Sequence, residues 1–268
     1  MNTVNQSFVD NNVLGFESAD VALSQMLIVA AELRQLYEEK QNALIEVSKA
    51  HHMALMKLAA AAGYRDDDTG IHIVRMGLIA EKLCQICGET KDFCFLMRLA
   101  APMHDVGKIG VPDNVLKKPG KLTADERQLM NMHPEIGFNM LGNTDVPLLQ
   151  LAAEIALTHH EKFDGSGYPN GLIGEEIPFA GRIVALVDYF DALTMDRCYR
   201  TAFADEVAVN MIKQERGKHF DGAIVDAFLA NIEIFIELRN RVNANPINFE
   251  GLNMLSADDI LEGQFCTG

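Results

Sequence analysis

Apolar residues in the first part of the chain recur with a helical period. From Ser18 to about Ala62 there is neither Pro nor Gly. Met26, Leu33, Leu36, Leu44, Val47, Ala54 and Leu58 are spaced by threes, fours and their sums, with Glu32, Arg34, Glu38, Glu39 and Lys40 between them. This spacing predicts one amphipathic helix over 18–62, capped by Ser18, and a helix of that length favours pairing with a second copy as a coiled coil. Residues 1–17 show no clear period and read as a tail. His51 and His52, on the predicted helix, read as ordinary surface residues.

Gly63 is expected to end this helix, and Arg65, Asp66, Asp67 and Asp68 follow it. Thr69 can cap a helix running to Gly88, a usual C-terminal stop. A further helix carries Cys94 to Asp105 and should bend or end at Pro102. Thr123-Ala124-Asp125-Glu126 has the form of a capping box, opening a helix that reaches His133, where Pro134 forces a break. Val146–His160 and Ala180–Leu193 read as helices, the second interrupted by Asp188. Between them lies Glu161-Lys162-Phe163-Asp164-Gly165-Ser166-Gly167-Tyr168-Pro169, dense in turn formers. Helices are expected over about Asp205–Arg216 and Asp221–Val242, and a loose tail over 246–268. Short alternating apolar patterns are missing throughout, so the expected fold class is all-α.

Composition narrows the function. Hydrophobic residues make up 49% of the 268, enough for a substantial core. A formal net charge of −15 argues against polymeric nucleic acid as partner, because a phosphate backbone needs a basic surface. A small anion remains possible where metal ions and a few Lys or Arg reverse the field. The five cysteines are an odd number, and Cys84 and Cys87 lie on an apolar helix face, where they read as small buried hydrophobes. The charge-free run Val21–Ala31 is too short to span a bilayer, so the expectation is a cytoplasmic protein with no membrane partner.

Seven polar residues break this pattern of buried faces. His72, His104, Asp105, His133, His159, His160 and Asp188 each lie in or at the end of an apolar helix. A polar side chain on an apolar face costs free energy unless it finds a partner. Five of the chain's eight histidines sharing this position, with two aspartates, point to a common ligand. Imidazole and carboxylate without thiolate favour first-row metals such as iron, manganese or zinc, and seven ligands suit two ions bridged by an aspartate. Lys108, just after the His104-Asp105 pair, can then supply a point charge to an anion held there.

The His-Asp-(x)2-Lys run at 104–108 and the run His-His-Glu-(x)2-Asp-Gly-(x)-Gly-Tyr-Pro at 159–169 resemble the HD-GYP phosphodiesterases, metallohydrolases that degrade cyclic di-GMP. The resemblance covers roughly 63–240. It implies an HD-type helical bundle, with a catalytic domain over 63–245 behind the long helix. It implies hydrolysis of cyclic di-GMP to linear pGpG, and on to GMP, through a metal-bridging hydroxide. His72, His104, Asp105 and Asp188 would hold one metal and His133, His159 and His160 the other, with Asp105 bridging. The metal would be iron, with manganese as the alternative. Lys108 would face the scissile phosphate, and Tyr168 would lie against the nucleotide. Arg197 and Arg200 would bind phosphate in a loop where Cys198 replaces the family's usual proline. Some members carry a glutamate at the position of Asp68 that recruits a third metal, and Asp68 is expected to do the same here. The other readings are a non-catalytic cyclic di-GMP receptor and a hydrolase of another nucleotide. A homodimer through the N-terminal helix completes the expectations.

Overall fold

The computed structural model describes residues 6–65, 70–196, 201–245, 247 and 249–264. Helix α1 runs from Gln6 to Arg65 as one element. It thus begins inside the stretch expected to be a tail, and it passes through Gly63 rather than ending there. A single glycine costs a helix interior only about 1 kcal/mol, too little to stop a helix held on both sides by better formers. The chain divides at His51/His52 into two compact units. In the first unit every side chain from Val21 to His51 is exposed, including Met26, Leu33, Leu36 and Leu44.

The second unit takes up α1 from His52 onward and contains the core. Here α1 buries Met56, Ala59, Ala60 and Ala62, while Leu58 remains exposed. The buried stripe is therefore a different face from the one the apolar spacing singled out. His52 belongs to the buried stripe, at 5% exposure, so it is not the surface residue expected from sequence. Burial first, and then the Arg98 charge, lower its pKa to about 4.

Helix α2 (Gly70–Ile86) is the centre of the bundle. It packs against α3 (Lys91–Ala100), α8 (Phe179–Thr194) and α11 (Ile232–Ala244). Its predicted end is observed: Gly88 follows at φ 89°, a left-handed position that suits glycine. α3 stops at Ala100, and Ala101–Met103 and Val106–Gly110 form two short 3₁₀ turns, so Pro102 does end the α-helix. Short α4 (Asp113–Leu116) leads to α5 (Ala124–Met130), which opens with the expected capping box: Thr123 and Glu126 exchange side chain-to-backbone bonds. α6 (His133–Leu141) and α7 (Pro147–Thr158) pack side by side.

Helices α9 (Asp205–Gln214) and α10 (Gly222–Ala230) follow α8. The single helix expected over Asp221–Val242 is two, α10 and α11, because Asn231 leaves helical geometry at φ −123° and ψ 23°. Phe228 stacks on Phe235 across this junction, with centroids 4.4 Å apart, and meets Phe190 edge-to-face at 5.2 Å. The segment expected to be a loose tail also folds. α12 (Phe249–Met254), α13 (Ala257–Leu261) and the link between them bury Leu252, Leu255, Ala257 and Ile260. Each is shorter than the window in which periodicity can be read. The contacts that hold them come from far back in the chain: Glu81 accepts from the Ala257 N–H, and Arg98 donates to the Leu255 carbonyl. Among the described residues there is no strand, and no helix is long and apolar enough to cross a membrane.

Candidate metal centre

Five parts of the bundle converge on one point. His72 comes from the first turn of α2, and His104 and Asp105 from the link between the two 3₁₀ turns. His133 begins α6, and His159 and His160 follow the end of α7. Asp188 projects from α8. Gly107 lets the 3₁₀ segment approach α6, since a Cβ there would lie 1.9 Å from the His133 carbonyl oxygen. The ligand-type atoms fall into two groups, each within 4.8 Å: Asp105, His133, His159 and His160 in one, and His72, His104 and Asp188 in the other.

Asp105 joins them. Its Oδ1 lies 3.2 Å from His133 Nε2 and 3.6 Å from His159 Nε2, while its Oδ2 lies 3.3 Å from His104 Nε2. The rings are aimed by their other nitrogens. His104 Nδ1 is 2.9 Å from the Ala101 carbonyl, His133 Nδ1 is 2.8 Å from that of Met130, and His159 Nδ1 is 3.0 Å from that of Ala156. Each of these bonds sets the Nδ1 proton and leaves Nε2 as the lone-pair donor. His72 is aimed differently, with Nδ1 2.7 Å from Asp191 Oδ2.

Burial opposes charge throughout the centre, and its neighbours decide the outcome. On His104 burial is outweighed by Asp105 and then Asp188, so its pKa rises to about 9. On Asp105 burial is outweighed by Lys108 and then His104, and the carboxyl is held well below the usual range. His159 is lowered by burial, only partly offset by its bond to Asp105. His160 is lowered further, by burial and then by His159 and His133. Lys108 Nζ sits 2.7 Å from Asp105 Oδ2. Tyr168 stacks on His160, with centroids 4.8 Å apart and planes at 27°, and burial followed by Asp105 pushes its phenol up.

The donor set fits divalent metal ions. Five imidazoles and two carboxylates with no thiolate suit hard to intermediate cations. His104 Nε2 and Asp105 Oδ1 are buried without hydrogen-bond partners, a costly state that bound cations would relieve.

Comparison with known proteins agrees. The model of the HD-domain family matches residues 24–224. The chain belongs to the HD-domain family. Over 240 residues it is 38% identical to the cyclic di-GMP phosphodiesterase response regulator RpfG of Xanthomonas campestris, covering 84% of this chain and 64% of that one. It is 40% identical to a cyclic di-GMP phosphodiesterase of Thermotoga maritima, covering 76% of this chain and 54% of the relative. It is 39% identical to the 3'3'-cGAMP-specific phosphodiesterase 2 of Vibrio cholerae, covering 75% and 38%. The chain thus spans from about two fifths to less than two thirds of the length of these relatives. The crystal structure of a cyclic GMP-AMP specific phosphodiesterase of V. cholerae has the same fold, with a TM-score of 0.55 at 16% identity over 78% of this chain and 54% of that one.

The geometry gathers all seven residues selected from the sequence, and it sets Lys108 and Tyr168 at their edge. Asp68, Arg197 and Arg200 lie outside the described residues. Sequence reasoning missed the partners behind the ligands. Asp191 accepts from His72 and takes both Nε and a terminal nitrogen of Arg75, which also bonds Asn243. A signal was present: Arg75 lies three residues after His72, and Asp191 three after Asp188, each on an apolar helix and so on one face with a ligand. Glu161, 1% exposed beside His160, was read only as part of a motif.

Proposed function

We propose that the chain is a metal-dependent phosphodiesterase that opens cyclic di-GMP to linear pGpG and then to GMP. The observation that carries this reading is the Asp105 carboxylate, whose two oxygens are directed at separate groups of imidazoles. In this reading Asp105 bridges two ions, one held with His72, His104 and Asp188, the other with His133, His159 and His160. Bound ions would neutralise the phosphodiester and lower the pKa of a water to near 7, supplying a nucleophile at neutral pH. The chain's own residues do the rest. The backbone-fixed rings keep Nε2 as a lone-pair donor, and burial keeps His159 and His160 neutral and able to bind. Lys108 places a positive charge where negative charge grows on the phosphoryl oxygens. Tyr168 offers an aromatic face beside His160 for a guanine base.

Iron is the proposed metal, with manganese second, and Asp68 is the proposed anchor of a third ion. Arg197 and Arg200 would bind phosphate. The exposed apolar positions on α1 between Leu23 and Leu58 form a seam suited to a second copy, making the protein a homodimer. The names of the relatives divide between cyclic di-GMP and 3'3'-cGAMP at similar identity, so both compounds belong in the test. The experiment is turnover of each by protein purified without oxygen, with metal content measured on the same sample. Rapid formation of pGpG at two or three ions per chain is expected. Full metal loading with no hydrolysis of cyclic di-GMP would overturn the reading. Light scattering should give a dimer, and a monomer at high concentration would remove the α1 interface.

A further inference from the structure

Beyond α7 and the His159-His160 pair the chain makes a loop that returns to the bundle at Phe179. The loop has little regular structure of its own, yet its course is fixed from inside. Glu161, 1% exposed, turns its carboxylate inward rather than to solvent. Oε1 accepts from the Asn170 N–H at 2.7 Å and Oε2 from the Leu172 N–H at 3.1 Å. Both acceptor atoms are thus used on the strand of loop just beyond Tyr168-Pro169. The near side of the loop is tied down at the same place, where the Tyr168 N–H donates to the His160 carbonyl at 3.2 Å. Gly167 makes the fold-over possible: a Cβ there would lie 2.2 Å from the Lys162 nitrogen and 2.5 Å from Glu161 Cα. The base of the loop is anchored separately, by Phe163 and Asp164 donating to the carbonyls of His219 and Lys218.

Beside these bonds Tyr168 holds its ring over His160. A buried carboxylate that accepts two main-chain N–H groups is a stiff support, because losing either bond strands a polar atom away from water. We propose that Glu161 is a positioning residue: it sets the Tyr168 ring over His160 and so shapes the wall against which the substrate's base packs. It neither binds metal nor touches the reacting atoms. The substrate half of this inference rests on the phosphodiesterase reading, while the loop half does not.

The test is Glu161→Gln, which keeps the side chain's length but replaces one acceptor oxygen by a donor facing an N–H. Three readouts separate the possibilities. Amide exchange at Asn170 and Leu172 should quicken at least about tenfold, and nitration of Tyr168 should become faster than in the parent, both without substrate. In turnover, KM for cyclic di-GMP should rise about tenfold while kcat and bound metal change by less than about threefold. In a Tyr168→Ala background the same substitution should add little, since the two act through one contact. Unchanged exchange and nitration would overturn the clamp, whatever the protein's activity. A fall in kcat and metal content with KM unchanged would overturn positioning in favour of support to the ligand His160. Full additivity with Tyr168→Ala would do the same. Should Glu161→Gln not fold, Glu161→Asp, one methylene short of both amides, is read by the same three measurements. If the parent hydrolyses no cyclic di-GMP, the function proposed above fails while exchange and nitration still decide the clamp.

Discussion

His133 and His159 take their orientation from carbonyls three or four residues back in their own chain, whereas His72 takes its orientation from Asp191, 119 residues away. The first kind of support forms as soon as a helix end forms. The second requires α2, α8 and α11 to have packed, because Asp191 is itself held by Arg75, and Arg75 by Asn243. The two regions also differ in charge. Around His104 the carboxylates Asp105 and Asp188 favour a proton, while burial lowers the pKa of both His159 and His160, aided by His104 and His133 on the first and by His159 and His133 on the second. One half of the centre is therefore pre-aimed and ready to bind. In the other half His72 depends on tertiary structure, while His104, like His133 and His159, is aimed by a carbonyl close behind it in the chain.

The largest effect should come from the residue shared by both halves. Asp105→Ala is expected to lower turnover by more than the roughly 100-fold typical of outer partners, with loss of both ions in native mass spectrometry. Retained metal and near-normal turnover would remove the bridge and with it the division into halves. Next is Asp191→Asn. It should weaken one ion by roughly 10–100-fold and leave the other in place. It should also destabilise the fold by about 3–5 kcal/mol, because Arg75 loses its buried partner. Equal weakening of both ions in a metal titration would erase the contrast between local and long-range support.

A pH series separates the centre from its surroundings. His52 and His219 are not among the seven residues of the centre, although Asp188 is one of the charges that act on His219, and both have pKa values lowered to about 4, chiefly by burial and then by Arg98 and Lys162 respectively. A histidine depressed on folding contributes stability that is complete above its unfolded value of 6.5 and is lost as pH falls toward 4. Thermal unfolding between pH 7 and 4 should therefore show an acid limb in metal-free protein as well as loaded protein. An acid limb that vanished when metal was added would assign it to the centre instead. The smallest effect is expected from Asn243→Ala, at the far end of the Arg75 network. About 1 kcal/mol of stability should go, with little change in metal affinity. A metal loss as large as that of Asp191→Asn would place Asn243 on equal footing in aiming His72.

The seven residues that the fold gathers were legible in the sequence because each breaks an apolar helical pattern, a violation that a single chain displays. The fold class was legible for the same reason, as were the capping box at Thr123 and the stop at Gly88. What escaped was whatever depends on a partner distant in sequence. Asp191 looks like any acidic residue until Arg75 and His72 are brought to it. The face of α1 that packs on the core is its Met56, Ala59 and Ala60 side, and no period distinguishes it from the more regular exposed stripe. The break at Asn231 rests on one residue's dihedral angles. The sequence over 246–268 reads as a loose tail because the helices within it are shorter than the pattern that reveals a helix.

That last segment bears on synthesis as well as stability. The Glu81 carboxylate receives the Ala257 N–H across 176 residues, and buried Arg98 reaches the Leu255 carbonyl across 157. A ribosome adding 5–20 residues per second takes roughly 9–35 s to span the first of these separations. For that interval α2 and α3 are complete as sequence but incomplete as structure, with an ion pair and an apolar flank waiting for their cover. The bundle's central helix is among its first parts to be made, and it is among the last to be finished.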